Sequence, residues 1–394
     1  MSGNNGGFTV TTHTSWFTRI KQAFGGIIIG ILLIPASMWL LAWNEGRAVT
    51  TARSLAEGAG IVRSVDLARP DPANEGALVH VAGALQVPGT LRDPEFGVTA
   101  EGAIRLVRNV EMYQWEEERR SETRTTLGGG QETVTTYSYR QTWSSRPIDS
   151  NRFQQPQGRQ NPPFRYQAAT QSAREGTIGG FRLAEAQLSG IGESRAVPLV
   201  QGQVTVPPGG RIEGEAIYIS AQGFAAPGSP AQIGDMRVRF QVARADQATV
   251  LAAQRGDGFA PYQTQAGDRL MMTATGVVPA ADMIRQAEQT NMLMTWGIRA
   301  GGAVLMMIGF GMILAPFRVL ADVVPLFGSI VGAGTGLIGM ILTAILAPLT
   351  IAIAWFAYRP VVGAIVLALG IAVAVGLGWV AKNRKRPAPA AAAG

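Results

Sequence analysis

The chain of 394 residues contains no cysteine and only two histidines, His13 and His80. Without thiols it has no disulfide, no cysteine nucleophile and no cysteine-ligated zinc or iron–sulfur site. The two histidines lie far apart in the sequence, so they do not form a His-rich metal motif. We therefore predict that the protein holds no metal and no other cofactor.

Lysine is almost as scarce, since only Lys21, Lys382 and Lys385 occur and none lies in the central region 44–290. A Schiff base, a Ser–Lys pair and a P-loop are therefore excluded from that region. His80 is its one imidazole. The apolar residues around His80 favour a hydrogen-bonded strand residue over a catalytic base.

Carboxylates are the remaining candidates for catalysis in the central region. The densest group is Glu116, Glu117 and Glu118, which Arg119 and Arg120 follow directly. Such a group is most simply a solvated face whose ion pairs each contribute little. The sequence favours a protein that is not an enzyme, and a hydrolase or processing factor that uses carboxylates is the alternative.

Charge is also sparse, because only 15% of the residues are Asp, Glu, Lys or Arg. The net charge of +7 comes from the terminal regions 1–43 and 291–394, whereas 44–290 is close to neutral. A nucleic-acid-binding domain needs clustered basic residues. We therefore expect no nucleic-acid partner.

Long apolar runs dominate both ends of the chain, at residues 24–43, 296–317, 333–357 and 361–382. Each has the roughly 20 residues that a membrane-spanning helix needs. The first run could also belong to a signal peptide, but it is longer than a usual signal core and ends in tryptophans typical of a membrane interface. We predict four transmembrane helices in a lipid bilayer. Almost no polar residue lies within them, which disfavours the further alternative of a channel or transporter.

The region between the first two runs is predicted to consist mainly of β-strands. Residues 104–112 and 236–242 alternate apolar and polar side chains, which is the period of a half-buried strand. Helical spacing is confined to 46–63 and 279–295 at its two ends. We predict an α+β membrane protein with a β-rich domain, divided as follows: tail 1–22, helix 23–43, β-rich domain 44–290, helix 291–317, turn and interfacial segment 318–332, helix 333–357, turn 358–360, helix 361–382 and basic Ala/Pro-rich tail 383–394.

Basic residues predict the orientation of these helices. Arg19 and Lys21 precede the first apolar run, and a cluster that begins at Lys382 follows the last. The positive-inside rule places both clusters in the cytoplasm. The domain 44–290 would then lie on the periplasmic or luminal side, and we expect a multi-pass protein of the bacterial inner membrane.

One charge stands inside an apolar run. Arg299 lies about one turn into the second predicted span, where charges are costly and often functional. We expect its side chain to snorkel to the headgroups beside Trp296. The alternative is a salt bridge to the β-rich domain, with Glu45, just after the first span, as the suggested partner.

Glycines are frequent in the second and third spans. Gly297 and Gly301 are four residues apart, and so are Gly332 and Gly336. Small residues at this spacing let membrane helices approach closely. Packing within one chain explains the pattern, and we expect a homo-oligomer as the further consequence.

Several rare strings resemble the transmembrane protein 43 family, also called LUMA, and they run in order over nearly the whole chain. They include Asn44-Glu45-Gly46-Arg47-Ala48, Val110-Glu111-Met112-Tyr113-Gln114-Trp115, Tyr137-Ser138-Tyr139, Thr295-Trp296-Gly297 with Arg299-Ala300, and Tyr358-Arg359-Pro360. The family layout has one N-terminal span, a large luminal domain and three C-terminal spans.

The resemblance implies a membrane scaffold with no catalytic residues to transfer. Eukaryotic members are associated with the inner nuclear membrane, self-association and binding of emerin and lamins, and those partners do not transfer to a bacterial member. We expect unidentified membrane or periplasmic protein partners instead. Within the β-rich domain 44–290, the residues that we expect at an interface or in packing are Arg47 and the aromatic residues Tyr137, Tyr139 and Trp143. These three aromatic residues share one strand face.

Overall fold

A computed structural model describes residues 7–223, 226, 228–358, 360–361 and 364–365. Three helices within this part are long and apolar enough to cross a membrane. They contain three of the four predicted apolar runs. The fourth predicted span and the basic tail lie outside the described residues, apart from 361, 364 and 365.

The described residues form four α-helices: α1 Trp16–Ile61, α2 Glu185–Leu188, α3 Ala280–Ala321 and α4 Pro325–Tyr358. The helix α1 continues without a break from its apolar run into the predicted amphipathic segment 46–63. Within the predicted turn and interfacial segment 318–332, α3 continues to Ala321 and α4 begins at Pro325. The chain turns only between α3 and α4, and Pro325 begins α4 because proline fits the first turn of a helix.

Nineteen strands are described: β1 Phe8–Thr14, β2 Arg63–Ser64, β3 Leu78–Gln86, β4 Thr90–Arg92, β5 Thr99–Glu101, β6 Arg105–Thr125, β7 Gln131–Ser144, β8 Ala169–Ser172, β9 Glu175–Ile178, β10 Phe181–Ala184, β11 Glu193–Ala196, β12 Gly210–Glu213, β13 Ala216–Ile219, β14 Met236–Arg244, β15 Gln247–Arg255, β16 Gly258–Ala260, β17 Tyr262–Gln263, β18 Arg269–Leu270 and β19 Met272–Thr275. The β-rich character of the central region is confirmed.

The chain divides into two compact units. The soluble unit comprises residues 1–13, 54–124 and 132–287, and the helical unit comprises 14–53, 125–131 and 288–394. The loop 125–131 between β6 and β7 thus belongs to the helical unit.

In the larger sheet of the soluble unit, the described strands follow the order β1-β7-β6-β14-β13-β12. In addition, β8 pairs with β6 and β11 pairs with β14. The strands β6 and β14 pair in antiparallel register from Met236 opposite Met112 to Ala243 opposite Arg105. Their alternate residues, such as Val110 and Phe240, are buried in a common core. The predicted period of two is confirmed here.

The second sheet has the order β10-β9-β3-β15-β16, with β2 beside β3 and β19 beside β15, among the described strands. Its core includes Val81, Ile178 and Phe181. His80 on β3 bonds through Nε2 to the carbonyl of Val278 at 2.9 Å. The predicted role of His80 as a hydrogen-bonded strand residue is confirmed.

In the helical unit, α1, α3 and α4 pack around Leu41, Met306 and Ala347. Glycines bring α1 and α3 close together: a Cβ built on Gly30 would lie 2.6 Å from the carbonyl oxygen of Gly309. Close approach at small residues is the usual way that apolar helices associate in lipid.

Candidate functional site: an ion pair among the apolar helices

A carboxylate and a guanidinium meet between two helices of the helical unit. Glu45 lies on α1 and Arg299 on α3. The Nε and Nη2 atoms of Arg299 donate to the two carboxylate oxygens at 2.7 and 2.8 Å. The indole Nε1 of Trp355, on α4, donates to the same carboxylate at 2.9 Å. One acidic residue therefore holds all three long helices.

This ion pair is largely buried. Glu45 is 1% exposed, and the side chain of Arg299 is 17% exposed. The guanidinium carbon lies 4.8 Å from the ring centroid of Trp296 and 6.0 Å from that of Trp355. Aromatic faces attract a cation, and a bidentate pair satisfies both partners. The pair can therefore persist in an apolar setting where a single charge could not.

This geometry corrects the expectation for Arg299. We expected the side chain to snorkel, and it instead forms the salt bridge with Glu45 that was the alternative. The acidic partner belongs to α1 in the helical unit and not to the soluble unit. A buried charge without its partner would cost several kcal/mol, which is why pairing prevails over exposure. Trp355 was missed, because nothing in its sequence context distinguishes it from an aromatic at a membrane interface.

A second polar cluster adjoins the first. The Nη1 atom of Arg47 donates to the Asn291 side chain at 3.0 Å, and its Nη2 donates to the hydroxyl of Thr295 at 3.0 Å. Asn44 donates to the carbonyl of Thr295 at 3.1 Å. Within the described part of the chain, Arg47 forms no ion pair with a carboxylate. The hydrogen bonds described for its guanidinium end on neutral side-chain oxygens.

A third contact ties α1 to the end of α4. Arg53 donates through Nη2 to the carbonyl of Tyr358 at 3.0 Å. A Cβ on Gly46 would lie 2.7 Å from the Tyr358 ring. Any larger residue there would have to displace that ring. The strings that carry the family resemblance, from Asn44 to Arg47, thus form the helix contacts of this site.

The candidate glycines fall into two groups. A Cβ on Gly297, Gly301 or Gly336 would meet nothing within 4 Å, whereas one on Gly332 would lie 3.0 Å from the Arg318 side chain. Gly332 therefore packs within the chain. The other three lie on helix faces that the described residues leave open.

The candidate aromatic residues belong to the soluble unit. Tyr137 and Tyr139 are buried with Phe153, and the partly buried Phe8 packs against them, so they belong to a core and are not available to a partner. Burial and a hydrogen bond to Glu117 raise the pKa of the Tyr139 phenol.

Trp143 lies elsewhere on the same sheet and remains partly exposed. The guanidinium carbon of Arg237 lies 4.3 Å from its ring centroid. Glu111 accepts from Arg237 Nε at 2.6 Å and from Arg239 Nη1 at 2.8 Å. Of the three aromatic candidates, Trp143 is the one that a partner could reach.

No group of three or more His, Asp or Glu side chains suited to a metal ion occurs among the described residues.

Comparison with known proteins relates the whole chain to one family. The family model for Transmembrane protein 43 matches residues 112–360. The chain is 33% identical to Transmembrane protein 43 of Mus musculus over 379 residues, which is 92% of each chain. It is 32% identical to the Homo sapiens protein over 374 residues, covering 92% of this chain and 91% of the relative.

The similarity to a more distant relative also covers most of both chains. The Transmembrane protein 43 homolog of Drosophila melanogaster is 27% identical over 351 residues, covering 87% of this chain and 91% of its own length. No solved structure matches the chain. The family match, the coverage and the three apolar helices establish that this membrane protein belongs to the transmembrane protein 43 family.

Proposed function

We propose that this protein is a non-enzymatic membrane scaffold that associates with a second copy of itself through the exposed face of α3. The proposal rests on Gly297 and Gly301, where an added Cβ would meet nothing within 4 Å among the residues that the structure describes. Small residues four apart allow two membrane helices to approach until their backbones touch. The neighbouring Val304 and Ile308 on this face are also exposed, at 49% and 45%.

A second copy suits this face better than lipid. Between helices in a bilayer there is no hydrophobic driving force, so association depends on van der Waals packing at small residues. Gly302 and Gly309, which flank the face, are already used against Leu41 and Gly30 of the same chain. Two adjacent rows of glycine on one helix can therefore serve packing within the chain and packing between copies.

The soluble unit supports the scaffold part of the proposal. Each of its two larger sheets packs on a hydrophobic core. Around Trp143, the side chains of Arg237 and Tyr113 stack on the indole ring. Arginine and tryptophan are enriched where proteins bind partners. We propose that this face receives a membrane or envelope protein partner.

The test is Gly301→Leu compared with Gly334→Leu. Both glycines are exposed, and a Cβ on either would meet nothing within 4 Å among the described residues, so we expect neither change to disturb the packing of that part of the chain. We expect Gly301→Leu to lower the oligomer mass by mass photometry in nanodiscs, and Gly334→Leu to leave it unchanged. A monomeric wild type, or an unchanged mass for Gly301→Leu, would end the self-association proposal.

A further inference from the structure

Two buried arginines of the helical unit are paired with carboxylates of the same unit. Arg299 contacts Glu45 at 2.7 Å, and Arg19 Nη2 donates to Asp322 Oδ2 at 2.5 Å. A buried guanidinium is costly unless a negative charge accompanies it. The helical unit therefore neutralises both of these arginines from within its own sequence.

Arg47, on α1, is held differently. Its side chain is partly exposed, and its guanidinium donates to side-chain oxygens of Asn44, Asn291 and Thr295 at 3.0–3.2 Å. Its Nε atom is buried and has no hydrogen-bond partner among the described residues. Because Asn44 and Thr295 are 0% and 7% exposed, the groups that orient the guanidinium are themselves packed. Arg47 is thus an oriented positive charge that no carboxylate of the described residues pairs.

Tryptophans near Arg47 mark the edge of the apolar region. Trp39 and Trp43 on α1 are 67% and 46% exposed, and their ring centroids lie 6.3 Å apart. On α3, Trp296 is 62% exposed. Exposed tryptophans collect where membrane helices pass from hydrocarbon to headgroups. Arg47 follows Trp43 by four residues, or about 6 Å along the helix, and the headgroup layer is about 5–8 Å thick on each side.

We propose that Arg47 binds the phosphate of a phospholipid headgroup. A phosphate diester carries a negative charge, and its oxygens accept the charge-assisted hydrogen bonds that a guanidinium donates. Basic pockets between membrane helices bind anionic headgroups by the same chemistry. Since three neutral acceptors already orient the guanidinium, little side-chain entropy is lost on binding. The proposal does not depend on self-association or on a partner of the soluble unit.

Arg53 supplies a matched control on the same helix. It donates to the carbonyl of Tyr358 at 3.0 Å and, like Arg47, forms no ion pair with a carboxylate among the described residues. Its side chain is exposed, so water solvates the charge and a phosphate gains little there. Replacing Arg53 therefore removes the same charge from α1 and leaves the proposed site intact.

The test measures how far added lipid raises the Tm of the full chain, purified in a detergent that contains no phosphate. A ligand that binds the folded state raises Tm as its concentration exceeds its Kd. We expect phosphatidylglycerol to raise the wild-type Tm by about 3–5 °C, and a diacylglycerol with the same acyl chains to leave it unchanged. We expect Arg53→Gln to keep this shift and Arg47→Gln to lose it. Equal shifts from the two lipids, or in Arg47→Gln and the wild type, would overturn the proposal.

A second variant separates phosphate binding from a structural role of Arg47. Arg47→Lys keeps the charge but loses the fork of donors, so its Tm without lipid should fall. We expect it to keep most of the lipid-induced shift, and this variant decides the test if Arg47→Gln does not fold. Complete loss of the shift in Arg47→Lys would contradict the proposal. An equal shift from inorganic phosphate would also contradict it, because Arg47 would then hold a free anion and not a lipid.

Discussion

Neutralising Glu45 should destabilise the helical unit more than any other single polar change in it. In Glu45→Gln, the Arg299 guanidinium loses the carboxylate that it now contacts at 2.7 and 2.8 Å. Removing one partner of a buried ion pair costs about 3–5 kcal/mol, since it leaves an uncompensated charge. Arg299 keeps 17% exposure and the adjacent indole faces, so we expect about 3 kcal/mol.

The assay is equilibrium unfolding in detergent or nanodiscs, followed by tryptophan fluorescence, in a double-mutant cycle. Arg299→Gln is the second single variant, and Glu45→Gln with Arg299→Gln completes the cycle. We expect the double variant to be less destabilised than the sum of the two single changes, by about 2 kcal/mol, as neighbouring residues in one network do. A coupling energy near zero would refute the ion pair and restore the snorkelling interpretation of Arg299.

Two further changes follow from local geometry. Gly129 has φ +78°, and a Cβ there would lie 2.3 Å from the Trp16 ring. Gly128 has φ +84°, but a Cβ there would meet nothing within 4 Å among the described residues. We therefore expect Gly129→Ala to lower the free energy of unfolding more than Gly128→Ala does, by about 1–3 kcal/mol for the added clash. Burial and the hydrogen bond to Asp235 raise the pKa of the Tyr218 phenol above its ordinary value of 10.0. The stability that this tyrosine contributes is therefore complete below pH 10 and is lost as the pH rises towards its folded-state pKa. Tyr218→Phe should reduce this alkaline loss in unfolding measured between pH 9 and 11, and an unchanged pH profile would contradict the assignment.

Local features of the fold were predictable because they depend on nearest neighbours along the chain. The alternation in 104–112 and 236–242 predicted the strands β6 and β14. Apolar length gave the three long helices. The structure places the turn between α3 and α4 within the predicted segment 318–332, where Pro325 begins α4.

The candidate site was only half predictable. Arg299 was recognisable as a charge inside an apolar run, and Glu45 could be named as a possible partner. The indole of Trp355, 310 residues from Glu45, could not be named, because no periodicity links residues so far apart. Equally, nothing in the spacing of the glycines distinguishes Gly332, which packs on Arg318, from Gly301, which is open.

By itself, the sequence determined that this is a membrane protein with long apolar helices, a β-rich central region and no thiol chemistry. Those properties follow from composition and short-range period. The tertiary structure alone decided which charge Arg299 meets, which glycines remain exposed and that β1 joins the sheet through β7. These depend on contacts between residues more than a hundred positions apart, where burial and the need to satisfy every backbone and charged group select one partner among many.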